Sequence, residues 1–198
     1  NKYPNLKEHY SPFMDAMIAG FDGEHAYTVE NYNAIHYPAP IFENSGAGFF
    51  IQKAVLEESG YKIPRTIDEY FQLIEDYMAK YPTIDGVKTI GFEILCDGWR
   101  DFCLRNPAMH LLGAGNEGDV YVDPNTHEAS LYQISDTAKT YYRKLNEEYH
   151  KGIIEAETFT QNYDQYIARL STGAVLGMFD QAWNFGNATN ALKAAGKF

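Results

Sequence analysis

Two clusters of ring and hydrogen-bonding side chains stand out in this chain. One is Asp97, Trp99 and Arg100, within Cys-Asp-Gly-Trp-Arg-Asp (residues 96–101); the other is Asp180, Gln181, Trp183 and Asn184, within Asp-Gln-Ala-Trp-Asn (residues 180–184). An indole offers a flat apolar face, a carboxylate accepts hydrogen bonds, and an amide both donates and accepts. That set suits a ring-shaped ligand with a C–H face and a rim of hydroxyls, as a pyranose has. A loop with a core tryptophan is the competing reading of Trp183, since Trp is usually well buried. Hydrolysis would need two carboxyls about 5–9 Å apart across the scissile bond. Asp97, Asp101 and Asp180 are formally available, but in so acidic a chain solvated carboxylates are the commoner outcome. No catalytic residue is assigned.

Other chemistry finds little support. There is no Gly-rich phosphate loop, Gly-x-Ser-x-Gly elbow or His-Glu-x-x-His, so no nucleotide, cofactor or metal is expected. Cys96 and Cys103 match no zinc or redox spacing; they read as buried thiols or, in an exported protein, as a disulfide.

The elements that position the two clusters follow from periodicity. Tyr163, Tyr166, Ile167 and Leu170 fall on one helical face ending at Thr172-Gly173, and residues 174–179 form a short apolar run, the pattern of a strand buried on both faces. The second cluster sits where that strand ends, and ligands of open α/β sheets bind outside the carboxyl ends of strands. Residues 89–95 read as another strand, with the first cluster at its exit. Upstream, Thr66 and Glu69 predict a capping box that opens a helix with the face Ile67, Tyr70, Phe71, Ile74, Tyr77 and Met78, ended at Tyr81-Pro82. Residues 49–51 predict a strand into a short helix closed by Gly60. Residues 119–123 and 128–133 predict a hairpin across Pro124-Asn125-Thr126. Ser135 or Asp136 caps a helix whose face is Ala138, Tyr141, Tyr142, Leu145 and Tyr149. Strands alternating with helices give an α/β layered fold.

The N-terminal part is less regular. A helical pattern through Leu6, Tyr10, Met14 and Ile18 is broken at Ser11-Pro12, residues 26–30 are strand-like, and residues 31–45 form an irregular, proline-bearing stretch that reads as an extended crossing segment. Gly46-Ala47-Gly48 fits either close backbone approach or an ordinary flexible turn. The expected division is an entry helix and crossing segment in residues 1–44 and an α/β lobe in residues 45–198.

Composition sets outer limits. The chain has 198 residues, 45% apolar, with 16 Tyr and 12 Phe, which excludes disorder. A formal net charge of -11 leaves no basic stripe for nucleic acid. No targeting or transmembrane segment is visible. The chain opens on Asn1 without Met and reads as cut at both ends, so no compartment follows from that absence.

From Phe49 to Trp183 the order of phrases resembles the family 1 extracellular solute-binding proteins, lipoprotein receptors of ABC sugar importers. The likeness is carried by GFFIQKAVLEESG, IPRTIDEYFQLIEDY, GFEILCDGWRDF, a small hairpin, YHKGIIEAETF and ARLSTGAVLGMFDQAWNF. It implies a type II periplasmic-binding-protein-like α/β fold of which this chain is mostly one lobe, a sheet flanked by helices with a small β-hairpin. The family's N-terminal lobe, its lipid-anchored Cys and a return segment are not represented, so half of an interlobe site is expected. The resemblance implies a carbohydrate ligand, a non-catalytic monomer that serves ABC permease subunits, and a place on the extracellular face of the membrane through an anchor absent from this chain. It puts Asp97, Trp99, Arg100 and the cluster Asp180, Gln181, Trp183 and Asn184 at the ligand, and Tyr37, Phe42, Glu43 and Asn44 near a crossing segment that would act as a hinge together with the region near Phe185. A peptide or peptidoglycan-fragment receptor on the same fold is the alternative, since indoles and amides serve those ligands too.

Overall fold

The computed structural model describes residues 4–11, 14–19, 22–27, 47–113, 119–123 and 125–197. Two compact units are present, Asn1–Phe42 and Glu43–Phe198. In the first, α1 (Pro4–Tyr10) and α2 (Met14–Ala19) are separate helices, as the Ser11-Pro12 break predicts. Residues 25–27 form no strand; the rest of the strand-like stretch lies outside the described residues. Local hydrogen bonding explains the difference, because the Asp22 carboxylate accepts from the backbone N–H groups of Glu24 and His25, each at 2.8 Å, and turns the chain.

The second unit begins with β1 (Gly48–Ile51), the short helix α3 (Lys53–Glu58) and α4 (Ile67–Lys80). Gly60, at φ +68°, takes the left-handed position that ends α3. At the start of α4, Thr66 Oγ1 accepts from Glu69 N at 3.1 Å, while Glu69 Oε2 accepts from Arg65 N at 2.7 Å. The carboxylate thus reaches one residue further back than a reciprocal capping box requires. A hairpin of β2 (Thr83–Ile84) and β3 (Val87–Lys88) follows, across Asp85 and Gly86, both at positive φ as a type I′ turn demands. Then come β4 (Ile90–Glu93), α5 (Phe102–Arg105), α6 (Pro107–Leu112), the hairpin strands β5 (Val120–Val122) and β6 (Ala129–Leu131), α7 (Asp136–His150), α8 (Tyr163–Ser171), β7 (Val175–Asp180) and α9 (Gly186–Ala194). Ser135 caps α7, its Oγ accepting from Ala138 N at 3.1 Å.

The main sheet has the order β1-β7-β4, with β1 antiparallel and β4 parallel to the central β7. β4 is shorter than its apolar run, because Ile94 and Leu95 continue into the core beyond the ladder. Helices cover the sheet with Phe71 and Ile74 of α4, Tyr141 and Leu145 of α7 and Tyr166 of α8, packed against Phe92, Leu176 and Phe179. Two glycines permit this closeness: a Cβ at Gly177 would collide with the Tyr70 hydroxyl and Ile74, and one at Gly91 with Ile153. Tyr70 donates its hydroxyl proton to the carbonyl of Phe50, tying α4 to the edge strand.

Three carboxylates are buried among the described residues: Glu93 and Glu148, which are ion-paired, and Asp180 at the end of β7. Glu93 pairs with Arg169 at 2.6 Å, close in distance though out of line for a hydrogen bond, and accepts from Gln161 Nε2 at 2.5 Å. Glu148 sits between Lys144, at 2.9 Å, and Lys151, at 3.0 Å. Buried charges are tolerated when paired in this way.

Candidate functional site

Because β4 and β7 run parallel with Phe92 opposite Gly177, their carboxyl ends emerge side by side. After β4 the chain turns at Gly98, φ +58°, into a 3-10 turn over Gly98–Asp101. After β7 it turns at Gln181–Asn184, closed by Asn184 N donating to Gln181 O at 2.8 Å, and enters α9. The two clusters are thereby brought to one edge of the sheet. The Trp99 and Trp183 rings lie nearly parallel, 11° apart, with centroids separated by 5.8 Å, and Phe102 leans on both at 6.0 and 5.7 Å. Trp99 is 63% exposed and Trp183 52%, so the pair forms an open apolar platform and neither indole is a core residue.

Beneath the platform the polar groups divide into those already engaged and those left open. Asp180 is fully buried and accepts from Tyr166 Oη at 2.7 Å, Gln181 N at 2.6 Å, Asn184 Nδ2 at 3.0 Å and Cys103 Sγ at 3.3 Å. Burial pushes this carboxyl above its ordinary value of 3.8 although every donor pulls it down. Asn184, 2% exposed, gives its amide to Asp180 and accepts Arg100 Nε at 3.1 Å on Oδ1. These two residues form a buried scaffold. Asp97 Oδ2 accepts from Tyr163 N at 2.9 Å, and Gln181 Oε1 accepts the Trp183 indole N–H at 2.5 Å. Since the indole can only donate, the Gln181 amide is oriented by that bond. Among the described residues, Asp97 Oδ1, Gln181 Nε2 and the two terminal nitrogens of Arg100 keep hydrogen-bonding capacity that no protein group fills.

The arrangement differs from two independent Trp–Asp pairs. One ring platform is shared, Asp180 lies under it with its oxygens committed to the chain, and Asp97 retains one open oxygen. Tyr37, Phe42, Glu43 and Asn44 lie outside the described residues. Sequence reasoning passed over three supporting groups. Tyr163 and Tyr166 read there as core-stripe residues of α8, yet Tyr163 also donates its hydroxyl proton to Asn184 O at 2.9 Å and Tyr166 holds Asp180. Cys103 is a free buried thiol, pushed well above its usual pKa by burial and by Asp180; Cys96 is also free, half-buried and pushed up to about 11. The position of both tyrosines at the start of the helix that precedes the strand was the available signal.

Of the three carboxylates that hydrolysis could call on, Asp180 is walled off and Asp101 pairs with Arg105 at 3.0 Å, which leaves Asp97 with one open oxygen. No group of three or more His, Cys, Asp or Glu among the described residues could hold a metal ion. A separate open groove of about 350 Å³ lies along α7, lined by Leu104, Tyr142, Leu145, Tyr149 and Phe159 among others; none of the cluster residues contributes to it.

No family model matches the chain, and no curated protein matches it. Its fold is that of the extracellular solute-binding proteins. It is similar to the S. pneumoniae ABC-transporter substrate binding protein FusA in complex with kestose, with TM-score 0.63 at 20% identity, over 92% of this chain and 38% of that one. The FusA EF-hand mutant in complex with fructo-nystose gives TM-score 0.55 at 20% identity, over 71% of this chain and 29% of that one. An extracellular solute-binding protein from Bifidobacterium longum subsp. infantis gives TM-score 0.57 at 20% identity, over 74% of this chain and 33% of that one. The chain therefore spans about a third of the length of the solved structures it matches. The solute-binding fold implied by the order of its phrases is the fold found.

Proposed function

We propose that this chain is part of an extracellular sugar-binding receptor of an ABC importer, non-catalytic, with its ligand seated on the Trp99–Trp183 platform. The observation that carries the reading is the pair of stacked, half-exposed indoles at the carboxyl ends of adjacent parallel strands, ringed by open polar groups. Indole faces cover the C–H face of a pyranose or furanose ring, while Asp97 Oδ1 accepts from, and Gln181 Nε2 donates to, its hydroxyls. Pneumococcal FusA, bound to kestose, is a neighbour in fold and supports a saccharide as the ligand class. Under this reading the remaining partners are the importer's permease subunits, and the receptor works on the outer face of the membrane.

The test is calorimetry and thermal shift on the native polypeptide carrying this chain, against a panel of mono- and oligosaccharides that includes kestose, with reducing-end release followed in parallel. Saturable binding without release supports a receptor. Release of reducing ends at catalytic rates would make the protein a hydrolase, and binding of peptides in preference to every sugar would replace the ligand class.

A further inference from the structure

Arg100 makes no ion pair with a carboxylate among the described residues. Its guanidinium carbon lies 4.6 Å from the Trp99 ring centroid and 4.2 Å from that of Tyr163, and its Nε is spent on Asn184. The side chain is half-buried. The other arginines follow a simple rule: Arg105 and Arg169, also half-buried, pair with carboxylates, whereas Arg65 and Arg143 are exposed to water. Arg100 breaks it, since no carboxylate pairs with it among the described residues.

That exception has a consequence once a ligand covers the indoles. A neutral sugar would replace the water on the guanidinium with hydroxyl oxygens, which accept hydrogen bonds from it but bring no counter-charge, and a charge left unpaired in a dry site is costly. A carboxylate on the ligand would supply the missing partner. With Nε occupied, the two terminal nitrogens remain as a parallel pair of donors, the geometry that receives both oxygens of a carboxylate at once. Asp97 Oδ1, with no donor from the described residues, is left to accept from the ligand's hydroxyls.

We infer that the site is built for an acidic saccharide, one whose ring carries a carboxylate in the manner of a hexuronic acid, and that Arg100 is the residue that selects it. The inference rests on the reading of the Trp99–Trp183 platform as a sugar site. Arg100 also braces Asn184 and Tyr163, so a purely structural role must be separated from selection.

The experiment titrates the native polypeptide with a set of hexuronate disaccharides (gluco-, galacto- and mannuronate), with their methyl esters and with kestose, in the wild type, Arg100→Gln and Arg100→Lys. The ester keeps the ring and removes the charge. The expected result is that a uronate binds tenfold to a hundredfold more tightly than its own ester, the range a charged hydrogen bond provides. Arg100→Gln is expected to bring that ratio close to one. Arg100→Lys, which keeps charge but not the fork, is expected to retain part of it, and serves if the Gln variant fails to fold. Equal or weaker binding of every uronate relative to its ester or to kestose overturns the inference and leaves the sugar reading standing. So does a preference that survives both substitutions, or a uniform loss across acid, ester and kestose, which would make Arg100 a positioning residue only. Failure of all the sugars to bind overturns both.

Discussion

Arg100 donates its Nε–H to Oδ1 of Asn184 at 3.1 Å, joining two turns that lie 84 residues apart in the sequence. The amide of the same Asn184 donates to Asp180 at 3.0 Å. The half-buried charge beside the indoles is therefore connected through one buried amide to the end of the central strand, and the turns that carry Trp99 and Trp183 are tied to each other.

Trp183→Ala is expected to weaken ligand binding by about 2 kcal/mol or more, the loss typical of an interface hot spot. Its effect on folding should stay below about 1 kcal/mol because half of the side chain is exposed. Binding isotherms and denaturant melts on the same variant check both halves. A stability loss of about 3–5 kcal/mol, the value for a truncated core tryptophan, with unchanged affinity would remove the residue from the site.

Asp180 and Glu93 are both held above their ordinary values, 3.8 and 4.5, chiefly by burial. Each then binds its proton more tightly in the folded state than in the unfolded one, so its contribution to stability is fully present below the unfolded value and is lost as pH rises through the folded value. Surface carboxylates such as Glu58 and Asp123 are held down and contribute in the opposite sense. Replacing a buried carboxyl by its amide, as in Asp180→Asn or Glu93→Gln, removes the falling contribution. The destabilisation caused by either substitution should accordingly shrink as pH is raised from about 4 towards neutrality. Urea midpoints across that range test the sign, and a penalty that grows with pH would show that the donors outweigh burial.

Gly177→Ala should destabilise the chain by about 1–3 kcal/mol, because the added methyl must displace the Tyr70 hydroxyl and Ile74 in a packed layer. Gly48→Ala, on the edge strand with nothing within 4 Å of the new carbon, is the control. Paired denaturant melts should separate the two by at least about 1 kcal/mol; equal effects would mean that the layer yields at no cost.

Asn162 and Gln165 cap α8 reciprocally, each side-chain oxygen accepting the other residue's backbone N–H at 2.9 Å. Asn162→Ala is expected to cost about 1 kcal/mol of stability, measured as a lowered denaturation midpoint. The frayed turn holds Tyr163, on whose ring Arg100 rests, so affinity should fall as well, whereas loss of the cap at Ser135 on α7 should lower stability alone.

How much of this was legible varied with the range of the interaction concerned. Thr66, Ser135 and Gly60 announce helix ends because a cap is a matter of a few adjacent residues, and α4, α7, α8 and β7 follow from their apolar stripes. The Asp85-Gly86 hairpin was legible by the same local logic and went unread, hidden between a helix stop and an apolar run. The placing of Trp99 and Trp183 at strand exits was readable too. Their mutual stacking was not, since it depends on the parallel pairing of β4 with β7, which no local pattern encodes. Asp180 shows the same limit: residue type suggested a hydroxyl acceptor, but four donors from four positions converge on it only in the folded chain.

The stacked indoles also make the molecule its own reporter. The chain contains two tryptophans, and both are in the pair, so every photon of indole emission originates at this one edge of the sheet. Rings held nearly parallel at this separation couple their electronic transitions, which gives a paired circular-dichroism band and quenches emission. Anything that wedges between them, covers them or lets their turns drift apart changes the indole emission, without a label.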